Sequence, residues 1–275
     1  MADDATRFLR VLLPAVREAA AIARSLEGRV KNRPKSGETT AVKQALTTAD
    51  TEAQEALLLA LREHFPGVQL AAEEDTPSVS FFGEGGEALV VIDPIDGTLR
   101  SYLGGDGPYA VLIGLATRQH YDAALVALPR EELIFDALRG GGAHFAHRQG
   151  ARRPAVVSAD GDRVLVSHGM PEVVCARLRA QGLEVGMASG GAVGLAPLIP
   201  GVRAGLRYAA GPGGVSIRGR ISLLVAREAG LELRGAGHES FPDDLETPAP
   251  ILRVATSDAD FEVLREALSA ADLAS

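Results

Sequence analysis

With 275 residues and a formal charge of −8, the chain is long enough for a sizeable core, and it carries no Lys/Arg run of the kind that binds a nucleic-acid backbone. Hydrophobic residues at 46% and charged residues at 23% are an ordinary globular balance, and no apolar stretch approaches the ~20 residues of a membrane span. A single cysteine, Cys175, excludes an intramolecular disulfide and fits a reducing, cytoplasmic setting. The opening "MADDATRFLRVLLPAV" does not read as a secretory signal, because its first charges are acidic and Arg10 and Pro14 break its apolar run.

Residues 5–27 predict an amphipathic helix, with Phe8, Leu12, Val16, Ala19 and Ala23 on one stripe. The polar, basic segment 28–40 predicts a loop. A second helix follows in "TTADTEAQEALLLALREHF", with Thr48 or Asp50 as its N-cap and Pro66-Gly67 as its stop. "VQLAAEED" is a short strand ending in acids, and "ALVVI" (88–92) is a buried strand. "YAVLIGLAT", "YDAALVALP" and "ELIFDALRG" predict an antiparallel meander. The Gly/Arg-rich "GGGAHFAHRQGARRPA" predicts a loop, and a boundary between subdomains 1–150 and 151–275 is expected near it. Beyond it, strands are expected in "RVLVSHG", "GLRYAAG", "LELRG" and "LRVATS". Helices are expected in "PEVVCARLRAQ", "AVGLAPLI", "SIRGRISLLVAREAG" and "ADFEVLREALSAA". Such alternation predicts layered sheets and helices.

The chemistry concentrates in "ALVVIDPIDGTLRSYLGG" (88–105), where an apolar run meets Asp93 and Asp96. Two carboxylates at a strand end suit magnesium, a hard cation that takes oxygen ligands. Pro94 stiffens the turn, and Gly97 lets backbone pass close to a ligand. A helix starting near Gly97-Thr98 would offer free N–H groups to a phosphate. Glu73 and Glu74 end an earlier strand, and Asp50 stands where it would orient Thr98 or an attacking water. Together these parts suit metal-assisted hydrolysis of a phosphate ester. Taken singly, each has a plainer reading: "IDG" as a turn, "AEED" as a solvated edge, Asp50 as a helix cap.

In the order Asp50, Glu73-Glu74 and Asp93-Pro94-Ile95-Asp96-Gly97-Thr98, the sequence resembles the inositol monophosphatase family of magnesium-dependent, lithium-sensitive phosphatases. "RGGGAHF" (139–145) and "EAG" (228–230) extend the resemblance to nearly the whole chain. The resemblance implies a layered α/β/α/β/α sandwich of two subdomains, usually a homodimer. It implies Mg²⁺ as cofactor, held by Glu73, Asp93, Asp96 and the Ile95 carbonyl. It implies catalytic roles for Asp50, Thr98 and Glu73, and phosphate binding by Gly97 and Thr98. The implied partner is a small phosphorylated substrate: an inositol phosphate, a sugar phosphate or a nucleotide 3′,5′-bisphosphate.

One position departs from the family. The acid expected ten residues before Glu228 is Arg218, with Ile217 before it and no acid from Ala209 to Ala226. Arg218 either clamps phosphate in place of a second cation, leaving a weakened phosphatase, or marks a catalytically inactive member, or simply points to solvent. Ser189 is either a substrate-side residue or a helix cap, and His144 and His147 read as surface residues. The basic loop 29–35 either closes over an anionic substrate or is solvated.

Overall fold

The computed structural model describes residues 2–35, 41, 45–83, 85–117, 119–147, 150–157 and 161–273. Part of the expected loop 28–40, residues 36–40, lies outside these. Two helices, α1 (Ala2–Leu26) and α2 (Thr48–His64), pack together on one face of a seven-stranded sheet. Its strands run in chain order: β1 (Gln69–Ala71), β2 (Ala88–Asp96), β3 (Ala110–Thr117), β4 (His120–Leu128), β5 (Leu133–Leu138), β6 (Gly142–His147) and β7 (Arg153–Pro154). β1 pairs parallel to β2, and the rest form the antiparallel meander.

A second, five-stranded sheet contains β8 (Arg163–Ser167), β9 (Glu184–Ala188), β10 (Val202–Tyr208), β11 (Glu232–Arg234) and β12 (Ile251–Ala255), in the order β11-β12-β10-β8-β9. Helix α3 (Glu172–Ala180) and helix α6 (Asp258–Ser269) pack on its outer face. The short α4 (Gly190–Val193) and the longer α5 (Ile217–Glu228) lie between the two sheets. The result is an α/β/α/β/α sandwich.

Side-chain alternation along the strands builds these layers. Val90 and Ile92 join the core under α1 and α2, while Val91 between them joins the central core around α5. In β8, Leu165 enters the central core, and Val164 and Val166 enter the outer core with Val174, Leu178, Phe261 and Leu264. β6 and β7 form where the sequence predicts a loop, because β6 pairs with β5 and β7 with β6, which extends the meander, and β9 was not expected from the sequence. "EVGMA" is short and weakly patterned, and parallel pairing with β8 holds it as a strand.

The end of β2 brings its two acids to one side. Pairing with β3 shifts register between Asp93, opposite Leu112, and Asp96, opposite Ala110. Pro94 has no N–H to give the ladder, so a bulge is the natural accommodation there. Residues three apart on an unbroken strand face opposite ways. The extra residue puts Asp93 and Asp96 opposite partners that share one face of β3. Gly97 then turns the chain at φ 95°, in the left-handed region, into a π-helical turn (Thr98–Tyr102).

Candidate active site

Asp50 is placed by the start of α2. The N-cap is Thr47, not Thr48 or Asp50 as the sequence suggested, and Asp50 is the third residue of the first turn. Thr47 Oγ1 accepts from the Ala49 and Asp50 N–H groups, while Asp50 Oδ2 accepts from the Thr47 N–H at 2.8 Å and its hydroxyl at 2.6 Å. The other carboxylate oxygen, Oδ1, is left for Thr98. Thr98 Oγ1 lies 2.8 Å from Asp50 Oδ1 and 2.8 Å from the Ile95 carbonyl oxygen. Burial pushes the Asp50 carboxyl up, and the hydrogen bonds from Thr47 and Thr98 pull it partly back.

Asp93 is 6% exposed, and its Oδ1 is buried with no hydrogen-bond partner. Burial raises its pKa well above the usual carboxylate range; the neighbouring Glu73 and Asp96 charges raise it further, and Arg218 opposes them. Asp96 Oδ2 accepts from the Gly191 N–H at 2.5 Å. Gly191 suits this close approach, since a Cβ would stand 2.9 Å from that oxygen. Among the described residues, no three His, Cys, Asp or Glu side chains are grouped so as to hold a metal ion. Magnesium does not demand such a cage, because it is commonly bound by one or two carboxylates plus water and substrate phosphate. An orphaned, buried carboxylate oxygen crowded by two further acids suits a hard cation, so the residues present fit the group.

Three cations face these acids. Lys35 Nζ lies 2.7 Å from Glu74 Oε1, so the basic loop reaches the acid pair. The Gln54 amide brackets Glu74: it donates to the Glu74 carbonyl oxygen and accepts from the Glu74 N–H. Burial takes the Glu74 carboxyl up to about 7 despite Lys35. Arg218 Nη2 lies 4.0 Å from Glu73 Oε1, so this side chain faces the acids rather than solvent alone. The third cation, Arg207 on β10, feels the charges of Asp96 and Asp93. Arg220 turns away and donates to the carbonyls of Val215, Asp244 and Thr247.

A profile of the inositol monophosphatase family matches residues 4–172, more than half of the chain. The chain belongs to the inositol monophosphatase family. It is 34% identical over 101 residues to the Nus factor SuhB of Pseudomonas aeruginosa, a match that covers 37% of this chain and 36% of that relative. The extragenic suppressor protein suhB from Bartonella henselae has the same fold at a TM-score of 0.72 and 18% identity, over 95% of this chain and 98% of that one. Mycobacterium tuberculosis SuhB gives 0.65 at 21% identity, over 98% and 99%. The Thermotoga maritima IMPase gives 0.70 at 18%, over 95% and 97%.

Two further pieces of the family resemblance meet in space. The Glu228 carboxylate accepts from the Gly140 and Gly142 N–H groups at 2.8 and 2.9 Å, so "EAG" clasps "RGGG". Ser189 caps α4, its hydroxyl accepting from the Ala192 N–H, and it also lines the cavity beside Gly97. A Cβ on Gly97 would stand 2.7 Å from the Ser189 Cβ, so glycine is needed on steric grounds as well as for its φ. His144 contacts Arg152 in an ion-pair cluster around Asp136, remote from the acids. His147 packs against Phe145.

Sequence reasoning missed Arg207. The available signal was an arginine in "AGLRYAAG", a strand otherwise of small and apolar residues.

Proposed function

We propose that this chain is a Mg²⁺-dependent phosphatase that hydrolyses a small phosphate monoester, with water as the attacking group. The observation that carries this reading is the Asp50–Thr98–Ile95 hydrogen-bond chain beside the orphaned oxygen of Asp93. Glu73, Asp93, Asp96 and the Ile95 carbonyl would hold the cation, which supplies Lewis-acid polarisation of the phosphoryl oxygen when bound.

The remaining work falls to the chain. The Thr98 hydroxyl has one proton for two acceptors, Asp50 Oδ1 and the Ile95 oxygen. With that proton on the Asp50 side, Thr98 Oγ1 keeps lone pairs free to accept from a water. Burial makes Asp50 a stronger base than an exposed aspartate, which favours proton flow from water through Thr98 to Asp50. Gly97 and Thr98 would give backbone N–H groups to the phosphate, with Ser189 and Arg218 on its flanks.

Charge supports a small number of ions. Asp50, Glu73, Glu74, Asp93 and Asp96 face Lys35, Arg207 and Arg218. With every group charged the excess is two negative charges; burial disfavours the charged forms of Asp93 and Glu74, and one divalent cation at the site would offset that and neutralise the excess.

A second reading is favoured by Arg218. A guanidinium 4.0 Å from Glu73 stands where the resemblance expects an acid, and such a chain would be an impaired or inactive phosphatase. Phosphate release should be measured with Mg²⁺ across a panel of phosphomonoesters. We expect release by the wild type and none by folded Asp93→Asn. No release by either protein would select the second reading.

We also propose two subdomains, 1–150 and 151–275, a homodimer, and a cytoplasmic location. These follow from the family resemblance, the sequence boundary and the lone cysteine. Sedimentation of the purified protein tests the dimer. Among the described residues, no helix is long and apolar enough to cross a membrane.

A further inference from the structure

A cavity of about 620 Å³ opens from Asp96 and Gly97, and Arg100, His168 and Arg207 stand on its other walls. That volume suits a sugar-sized ligand. The Arg207 guanidinium passes between two glycines, and a Cβ at Gly190 or Gly219 would overlap it. Among the described residues it makes one side-chain hydrogen bond, from Nη1 to the Gly219 carbonyl at 3.3 Å, and no ion pair. A guanidinium has five N–H donors, so most of its capacity is unused. Arg100 makes no side-chain hydrogen bond or ion pair among the described residues, and it is exposed at the cavity edge. His168 holds Ser101 Oγ at 2.9 Å. Asp96 is the acid lining this cavity, at the end next to Gly97 and Thr98, and Asp106 acts on His168 from behind.

A guarded, under-used guanidinium is costly unless an anion completes it. The end of the cavity beside Thr98 belongs to the phosphate being cleaved. Arg207 and Arg100 therefore face the rest of the substrate.

We propose that Arg207, with Arg100, binds a second oxyanion on the substrate, so that the preferred ligand is a phosphate monoester carrying another phosphate or a carboxylate. The kinetic arm of the test rests on the phosphatase reading; the binding arm does not. Glucose 6-phosphate, 6-phosphogluconate and glucose 1,6-bisphosphate share one scaffold with a neutral, a carboxylate and a phosphate second group. Steady-state kinetics with Mg²⁺ should be measured for wild type, Arg207→Met and Arg100→Ala. Calorimetry should measure binding of the same three compounds to Asp50→Asn, with and without the Arg207→Met change.

We expect the wild type to favour at least one doubly anionic compound by about tenfold or more in kcat/KM, the size of a charge-assisted hydrogen-bond pair. Arg207→Met should erase that preference mainly through KM, costing the doubly anionic compounds more than it costs glucose 6-phosphate. Arg100→Ala, at the surface, should weaken the preference without disturbing the fold. A preference for the carboxylate over the bisphosphate, or the reverse, identifies which oxyanion the site takes. Equal handling of all three compounds by the wild type overturns the proposal, as does an equal loss on all three in Arg207→Met. If no compound is hydrolysed but calorimetry keeps the arginine-dependent preference, the phosphatase reading falls and the anion site stands. If Arg207→Met does not fold, retention of the full preference by Arg100→Ala together with equal binding of all three compounds to Asp50→Asn overturns it.

Discussion

At the scale of single residues, Asp93 is the most exposed to test. Its carboxylate is buried, crowded and missing a partner, a combination that destabilises the metal-free protein. Asp93→Asn should therefore raise Tm in EDTA while abolishing the Tm increase that Mg²⁺ gives the wild type, since only a binding-competent native state is stabilised by ligand. Thermal melts with and without Mg²⁺ check both signs, and a Mg²⁺-dependent shift retained by the variant would remove Asp93 from the cation site. Arg218 makes the opposite prediction. Replacing it by aspartate removes a positive charge that lies 4.0 Å from Glu73 and puts an acid at the same position of α5. Equilibrium dialysis should find one Mg²⁺ per chain in the wild type and two in Arg218→Asp. Unchanged stoichiometry would mean that residue 218 does not stand at a second cation position. The acids of this site were legible in the sequence because carboxylates in close succession after an apolar run are chemically conspicuous. Arg207 was not, because its meaning depends on Gly190 and Gly219, and only folding brings those three together.

At the scale of elements, the site is set by two local devices. The bulge at Pro94 turns two acids to one side, and the capping box at Thr47 fixes Asp50. The sequence showed that a cap belonged at the start of α2 but misassigned it by position. Thr47, Thr48 and Asp50 are all competent capping types, and only the backbone bond pattern separates them. Thr47→Ala should cost about 1 kcal/mol of stability, typical for loss of an N-cap. It also removes one of the two hydrogen bonds to Asp50 Oδ2, that of the hydroxyl, while the backbone N–H bond stays, so kcat should fall more than KM rises. Denaturant melts and steady-state kinetics test the pair, and a stability loss with unchanged kcat would detach the cap from catalysis. β9 escaped the sequence because its strand character comes from β8 beside it, a long-range pairing that no local pattern encodes.

At the scale of the whole molecule, alternating strands and helices made a layered fold legible, the five-layer order came from the family resemblance, and the order of strands within the second sheet was not legible, since it depends on which edges meet. The clasp of Glu228 on Gly140 and Gly142 joins α5 to the loop between β5 and β6, and α5 itself is packed by both sheets. The turn between β4 and β5 carries a weakness. Burial raises the Glu131 carboxyl above its ordinary 4.5, and its Oε2 is buried without a partner. A raised native pKa means that the folded state holds a proton to higher pH than the unfolded chain. The penalty is absent below about 4.5 and complete above the folded value, so stability falls as pH rises through that window. Glu131→Gln should raise Tm at pH 8 and have little effect near pH 4.5, and a Tm difference independent of pH would assign the effect to packing.

The passage of Arg207 between two glycines also bears on ancestry. A side chain at Gly190 or Gly219 would overlap the guanidinium where it now lies, so a change at either position requires Arg207 to move. Losing the arginine first lifts that requirement; gaining a side chain first does not. Related sequences are then expected to reach a larger residue at 190 or 219 more readily after the arginine has gone, and reversion to arginine in its present place is disfavoured once either glycine has gone. A double-mutant cycle on Gly190→Ala and Arg207→Met measures this directly: Gly190→Ala should be destabilising with Arg207 in place and close to neutral without it, whereas additive effects would show that the two positions have been free to drift apart all along.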